Sequence, residues 1–343
     1  MSQQAKAKWK LIFNIVSFVG FIVLIFALRK QIVESFNTIG QIKWGILLLL
    51  PVWQVLNYDA YARQNKGVFA ILGKVIGYKF LYRLNLELNF VNHVLPSGGV
   101  SGFSYFGMRM KEKNVSAAQA SIVQLLRFVL VFIAFQLLLF IALVLLSFSG
   151  QVNSLVLLIG GSVATLVFVG TIGTAYIVGS KKRINAFFGF FTQIANRVIH
   201  LFRPKNPETI NVMRAREVFD ELHDNYVVIK NNYRALRRPL FWSLVACTTE
   251  VLTVYTVYVA FGHWVNPGAV ILAYAIANFA GILSVLPSGI GVYEAIMTAV
   301  LAIGGISAAI SIPVTVMYRV LSMIIQLVPG YILYYRRMRS AKS

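Results

Sequence analysis

Charge is scarce in this chain, and acid is scarcer still. Only 13% of its 343 residues are charged, and 11 Asp and Glu stand against 32 Lys and Arg. Soluble domains are about one-quarter charged and about half apolar. Here 58% of residues are hydrophobic and the mean hydropathy is +0.72. A single water-facing core cannot use that much apolar sequence, so the surplus faces lipid. Cysteine is nearly missing too: Cys247 stands alone, which excludes an internal disulfide and a cysteine metal cluster. No GxGxxG, P-loop, GxSxG, HExxH or CxxC pattern occurs, and the four histidines His93, His200, His223 and His263 are scattered. Those absences argue against a hydrolase, kinase or metalloenzyme, and no metal or cofactor is expected. The net charge of +21 would suit nucleic acid, but no binding module is recognisable and the basic residues fall between apolar spans. Anionic lipid headgroups and the positive-inside bias account for the charge more simply.

What is present is a series of long apolar runs. A span needs about 20 apolar residues, and six stretches qualify: Leu11–Leu28, Trp44–Tyr61, Ala117–Ser147, Leu155–Val178, Pro239–Phe261 and Ile312–Leu333. The first follows Lys6, Lys8 and Lys10. It is too long for a signal-peptide core and lacks a small-residue cleavage pattern, so it reads as a retained helix. The third is longer than a span requires, and a tilt or a displaced start must absorb the surplus.

Two further stretches, Tyr78–Met110 and Val270–Ile303, are broken in the middle. The breaks read Leu95-Pro96-Ser97-Gly98-Gly99 and Leu286-Pro287-Ser288-Gly289-Ile290-Gly291. Proline removes a helix donor and glycine gives freedom to turn. Such a break is tolerated at membrane depth only inside protein or beside a water-filled cavity. Each stretch therefore reads as a re-entrant helical hairpin with Pro96, Gly98 and Gly99, or Pro287, Gly289 and Gly291, at its tip.

The two breaks belong to an internal repeat. Leu95–Gly98 precedes Leu286–Gly289 by 191 residues, Ser116-Ala117-Ala118 precedes Ser307-Ala308-Ala309 by 191, and Arg127 precedes Arg319 by 192. The basic stretches are the N-terminus, Arg63–Arg83, Arg109–Lys113, Lys181–Arg238 and the tail Arg336, Arg337, Arg339. Putting all of them in the cytoplasm turns the two halves upside down relative to each other, the plan of many secondary transporters. Arg29, Lys30 and Lys43 then fall in the first outer loop, against the rule. The expected architecture is all-α and polytopic: one transmembrane domain over residues 1–343, with inverted repeat halves of about 11–150 and 151–336. Both termini are expected in the cytoplasm, in a multi-pass protein of the cell membrane. The segment 181–238, with twelve Lys or Arg and five Asp or Glu, reads as a basic cytoplasmic insertion. Within it Ile184–Ile199 suggests an interfacial helix, and Leu222, Tyr226, Ile229, Tyr233 and Leu236 form a helical apolar stripe. A solvated loop is the plain reading and a gate or docking element the sharper one.

Polar residues inside apolar sequence are costly and point to function. Asn85, Asn89 and Asn92 fall on one helix face, His93 adjoins the first break, and Arg83 and Glu87 have the spacing of a pair. The amides line a substrate path or merely join helices. Arg127 and Arg319 lie within spans, where a guanidinium can clamp a phosphate or snorkel to the interface. Glu294 stands one turn after the second break, where a helix start favours an anion.

The run from Leu286 to Glu294, with Tyr318-Arg319 beyond it, resembles the second signature of the flippase-like family, also called the lysylphosphatidylglycerol synthetase transmembrane region. Asn92–Gly99, then Arg109 and Ala117–Arg127, resembles the first signature. The resemblance implies an integral membrane lipid translocase, or a protein of similar fold with unassigned activity. Family members fused to a soluble synthase domain aminoacylate phosphatidylglycerol, but the sequence has no such domain after Ser343, so synthesis is not expected. Many members also carry an acid soon after the first break, where this chain has Gly102 and Phe103.

The expectation is a translocase of a phospholipid or lipid-linked headgroup. Asn85, Asn89, Asn92, His93, Arg109, Arg127, Glu294 and Arg319 are its substrate-binding residues, and none is catalytic. Its partners are membrane lipids, anionic by charge, with a synthase or other partner protein encoded separately. A lipid-modifying enzyme or its subunit, of phosphatidylglycerol lysyltransferase or glycosyltransferase-associated type, and a membrane scaffold are the alternatives.

Overall fold

A computed structural model describes residues 42–94, 100–150, 154–187, 189–190, 212–283 and 291–340. Every regular element among them is helical. The expected first span, Leu11–Leu28, lies outside the described residues, as do the break residues Pro96, Gly98, Gly99, Pro287 and Gly289.

A short helix α1 (Trp44–Leu47) leads into α2 (Leu49–Ile71). Next come α3 (Tyr78–Val94) and α4 (Val100–Lys111), on either side of the first break, and the long α5 (Ala117–Phe148). After α6 (Ser154–Val178), a helical stretch at 181–187 and α7 (Val212–Asn231), the chain enters α8 (Arg237–Ala260). Then α9 (Pro267–Leu283) and α10 (Val292–Ile303) flank the second break, and α11 (Ala308–Ser340) ends the described chain.

Among the described residues four helical segments are long and apolar enough to cross a bilayer: Ala117–Phe148, Gly160–Val178, Tyr233–Ala260 and Ala308–Arg337. The expected span Trp44–Tyr61 is helical but is not one of these. Its helix runs on to Ile71, and its inner face is built from amides. Outer faces are aliphatic and aromatic: Phe140, Ile141 and Phe148 on α5, Leu166 and Phe168 on α6, and Ile324 and Val328 on α11 are all exposed. An apolar belt of that extent suits lipid, not water.

The order of lengths repeats. Helices α2 to α5 hold 23, 17, 12 and 32 residues, and α8 to α11 hold 24, 17, 12 and 33. Packing is reciprocal as well. The most extensive contact is α2 on α8; α3 packs on α11, and α9 packs on α5. The helices flanking each break also pack side by side, α3 on α4 and α9 on α10.

Two glycines set the closeness of the reciprocal pairs. A Cβ on Gly330 of α11 would stand 2.5 Å from the Leu86 carbonyl of α3, and one on Gly268 of α9 would stand 2.6 Å from the Ala142 carbonyl of α5. Small residues permit this approach where no hydrophobic drive joins helices in lipid. Between α2 and α8 the seam is polar. The Trp53 indole donates to Thr256 Oγ1 at 3.0 Å, Asn57 Nδ2 to the Ala246 carbonyl at 3.0 Å, and Gln64 Nε2 to Ser243 Oγ at 2.6 Å.

The start of α5 is fixed locally. Ser116 Oγ accepts from the Gln119 amide at 3.1 Å, and Gln119 Oε1 accepts from the Ser116 amide at 3.3 Å, a reciprocal capping box. The stripe foreseen in the basic segment docks here: Leu222 and Ile229 of α7 bury against Ala118 and Ile122, with Tyr226 and Leu236 beside them. Tyr233 stays exposed. A Lys181–Asp224 ion pair of 2.8 Å holds the segment to the stretch after α6, and the bond to Asp224 raises the ammonium above its ordinary pKa. The rest of the expected interfacial helix, 191–199, lies outside the described residues.

Candidate functional site

A polar cavity of about 220 Å³ opens where seven helices converge. Helix α2 gives it Asn57, Tyr58 and Tyr61, and α3 gives Asn85, Asn89, Asn92 and His93. Arg127 comes from α5 and Glu250 from α8. Tyr274 and Asn278 come from α9, Tyr293 from α10, and Tyr318, Arg319, Ser322 and Gln326 from α11. Helical spacing explains the α3 row, since i, i+4 and i+7 share a face. The same rule aligns Arg319, Ser322 and Gln326 on α11.

The amide wall is cross-linked. Asn89 Nδ2 donates to the Tyr58 hydroxyl at 2.5 Å and to Gln326 Oε1 at 3.1 Å, and Gln326 Nε2 donates to Gln54 Oε1 at 3.0 Å. Asn85 Oδ1 accepts from Asn65 at 3.3 Å. The His93 ring holds its Nδ1 2.8 Å from the Asn89 carbonyl. A carbonyl only accepts, so Nδ1 carries the proton there. Polar atoms of the wall that include Asn85 Nδ2 and Ser322 Oγ have no hydrogen-bond partner among the described residues.

The two arginines differ in company. Arg319 Nε donates to Glu294 Oε1 at 2.9 Å, and its guanidinium lies 4.6 Å from the Tyr293 ring centre. The other Glu294 oxygen accepts the Gly291 amide at 2.6 Å, so Glu294 both caps α10 and neutralises Arg319. Gly291 itself has φ of +87°, a conformation that favours glycine. Arg127 stacks 4.3 Å over the Tyr61 ring and makes no ion pair among the described residues. The position 192 residues before Glu294 is Gly102. There a Cβ would collide with the Asn92 amide.

Arg109 is not on the cavity wall. Its Nε donates to Glu87 at 3.0 Å and its Nη1 to Glu112. Arg337 of α11 joins the same cluster, bonding Glu112 and donating to the Tyr105 hydroxyl at 3.0 Å. Tyr105 in turn donates to Glu87 at 2.8 Å. The spacing that suggested an Arg83–Glu87 pair is overridden, because Glu87 is buried and turns to α4 while Arg83 is exposed.

Sequence reasoning left Glu250 without a role, and the structure puts it on the cavity wall, where Tyr274 donates to it at 3.2 Å. Asn57, Asn278, Ser322 and the tyrosines were missed as well. For Glu250, Asn57 and Asn278 the signal was available: an acid or amide in the middle of an apolar helix.

A family model described as the lysylphosphatidylglycerol synthase TM region matches residues 12–330. That match covers most of the chain and every residue of the cavity. The chain belongs to this family. The family is one of membrane proteins linked to lipid handling. Curated relatives are more distant. A UPF0104 membrane protein of Methanothermobacter thermautotrophicus is 32% identical over 92 residues, 27% of this chain and 28% of that protein. Another, of Pyrococcus horikoshii, is 21% identical over 179 residues, 52% of this chain and 53% of that protein. The matched stretches therefore span at most about half of these relatives. The protein is a multi-pass, all-α member of the family.

Proposed function

We propose that the protein moves the headgroup of a phospholipid or lipid-linked compound between leaflets, with the acyl chains left in the bilayer. The carrying observation is the polar cavity, walled by helices from both repeated stretches inside a bundle with an apolar exterior. At about 220 Å³ it is smaller than the roughly 300–1,000 Å³ of sites for drug-sized ligands. It has room for one headgroup and none for acyl chains. Arg127, the cavity arginine that no carboxylate among the described residues matches, compensates the phosphate, so anionic lipids are the expected partners.

The matching helix lengths and reciprocal packing support an inverted repeat, with α3–α4 and α9–α10 as re-entrant hairpins. In this reading the two halves rock about the α2–α8 seam, and the protein sits in the cell membrane with both termini in the cytoplasm. Purified protein in liposomes should carry a fluorescent phospholipid from one leaflet to the other, read by dithionite quenching. A redistribution rate equal to that of protein-free vesicles, for several phosphate-bearing lipids, would remove the translocase reading. A new lipid species formed on adding charged tRNA or a nucleotide sugar would replace it with an enzyme.

A further inference from the structure

We infer that the cavity selects a polyol phosphate: a phosphate bearing a ring or chain of hydroxyls. This rests on the headgroup reading above and names the headgroup's chemistry. An isolated phosphate only accepts hydrogen bonds and an ammonium only donates them, whereas a hydroxyl does both. The cavity offers both kinds of partner. Asn85 Nδ2 is a donor with no partner among the described residues, and Ser322 Oγ can donate or accept. The Glu250 carboxylate is an acceptor with neutral company, and the Asn278 amide spends its nitrogen on the Tyr274 carbonyl at 2.8 Å, which leaves its Oδ1 to accept. These groups lie on four different helices, α3, α8, α9 and α11, so they converge on a ligand from several sides.

The remaining surfaces fit the same chemistry. Tyr58, Tyr61, Tyr274 and Tyr318 present amphipathic rings to the cavity, and such rings combine an apolar face for C–H groups with a hydroxyl rim. One guanidinium, Arg127, is not neutralised by a carboxylate among the described residues and meets one phosphate; Arg319 is already paired with Glu294. A site whose buried groups are built to bond hydroxyls rejects an analogue lacking them, because those groups are then left unpaired.

The test is retention of lipid by the full chain in detergent, read by native mass spectrometry. Phosphatidylinositol is compared with phosphatidic acid, which has the phosphate and no polyol, and with phosphatidylethanolamine, which carries an ammonium. Phosphatidylinositol should be retained about tenfold better than phosphatidic acid, the size of one or two neutral hydrogen bonds. Asn278→Ala and Ser322→Ala should each reduce its retention about threefold or more. Equal retention of all three lipids overturns the proposal, and so does a preference for phosphatidylethanolamine. Thermal unfolding of each variant verifies folding, and the wild-type lipid comparison stands even where a variant fails to fold. Free inositol 1-phosphate forms a separate arm. Stabilisation by it equal to that by phosphatidylinositol keeps the polyol phosphate assignment and removes the lipid source. Selective retention of phosphatidylinositol without leaflet redistribution keeps the site and removes the translocase. Redistribution without polyol preference does the reverse.

Discussion

Arg127 and Arg319 stand 192 residues apart and reach the same cavity, yet removing them should have different consequences. Arg319 shares its charge with Glu294, and both side chains are largely buried, at 16% and 14% exposure. Arg319→Ala strands a carboxylate and should cost up to about 3 kcal/mol. Arg319→Ala with Glu294→Ala should recover much of that loss in thermal unfolding. Arg127→Ala strands no carboxylate among the described residues. It should leave the unfolding midpoint within a few degrees of wild type while abolishing phosphate-dependent lipid retention. Arg127→Lys should keep part of that retention, because the charge survives and the planar fork does not. The same logic separates the two acids around Arg109. Glu87 is 5% exposed and Glu112 is 42% exposed. Glu87→Gln should destabilise the fold more than Glu112→Gln, since a buried charge that loses its partner is costlier than an exposed one.

At the scale of the helix, the reciprocal pairs depend on two close approaches. Gly330→Ala would push a Cβ into the backbone of α3, and Gly268→Ala would do so against α5. Each should cost about 1–3 kcal/mol, the usual scale of overpacking, seen as a lower unfolding temperature in detergent. Substitution at Gly161, whose Cβ would meet nothing within 4 Å, should have almost no effect. Legibility of the elements followed the strength of local signals. The start of α5 was readable, since the apolar run expected from Ala117 begins where Ser116 caps the helix; the last span was expected from Ile312, and α11 begins four residues earlier, at Ala308. The length of α2 was not readable. Its helix continues ten residues past Tyr61 through Arg63, Gln64, Asn65 and Lys66, residues that look like the end of a span. Gln64 and Asn65 are buried because α8 supplies Ser243 and α3 supplies Asn85, partners distant in sequence.

For the whole molecule, charge distribution and topology lead to one further expectation. Native Cys247 is buried, so a cysteine introduced at the exposed Asp224 would report its side of the membrane with little background. Labelling from the cytoplasmic side alone is expected; labelling of intact cells by an impermeant maleimide would reverse the orientation. The sequence by itself determined the membrane class, since an apolar fraction of 58% with 13% charge admits no other solvent. It also marked which helix faces are polar, because helical periodicity is a local property. Arg109, in a basic stretch, and Arg127, within a span, were both expected to bind substrate. Only the tertiary structure decided that Glu87, Glu112 and Tyr105 gather round the first, and that the second lines a cavity together with Glu250 and the tyrosines. The physical reason is that an ion pair or a cavity depends on which distant helices meet. That meeting is set by close-packed contacts such as Gly330 on Leu86, which no local pattern encodes.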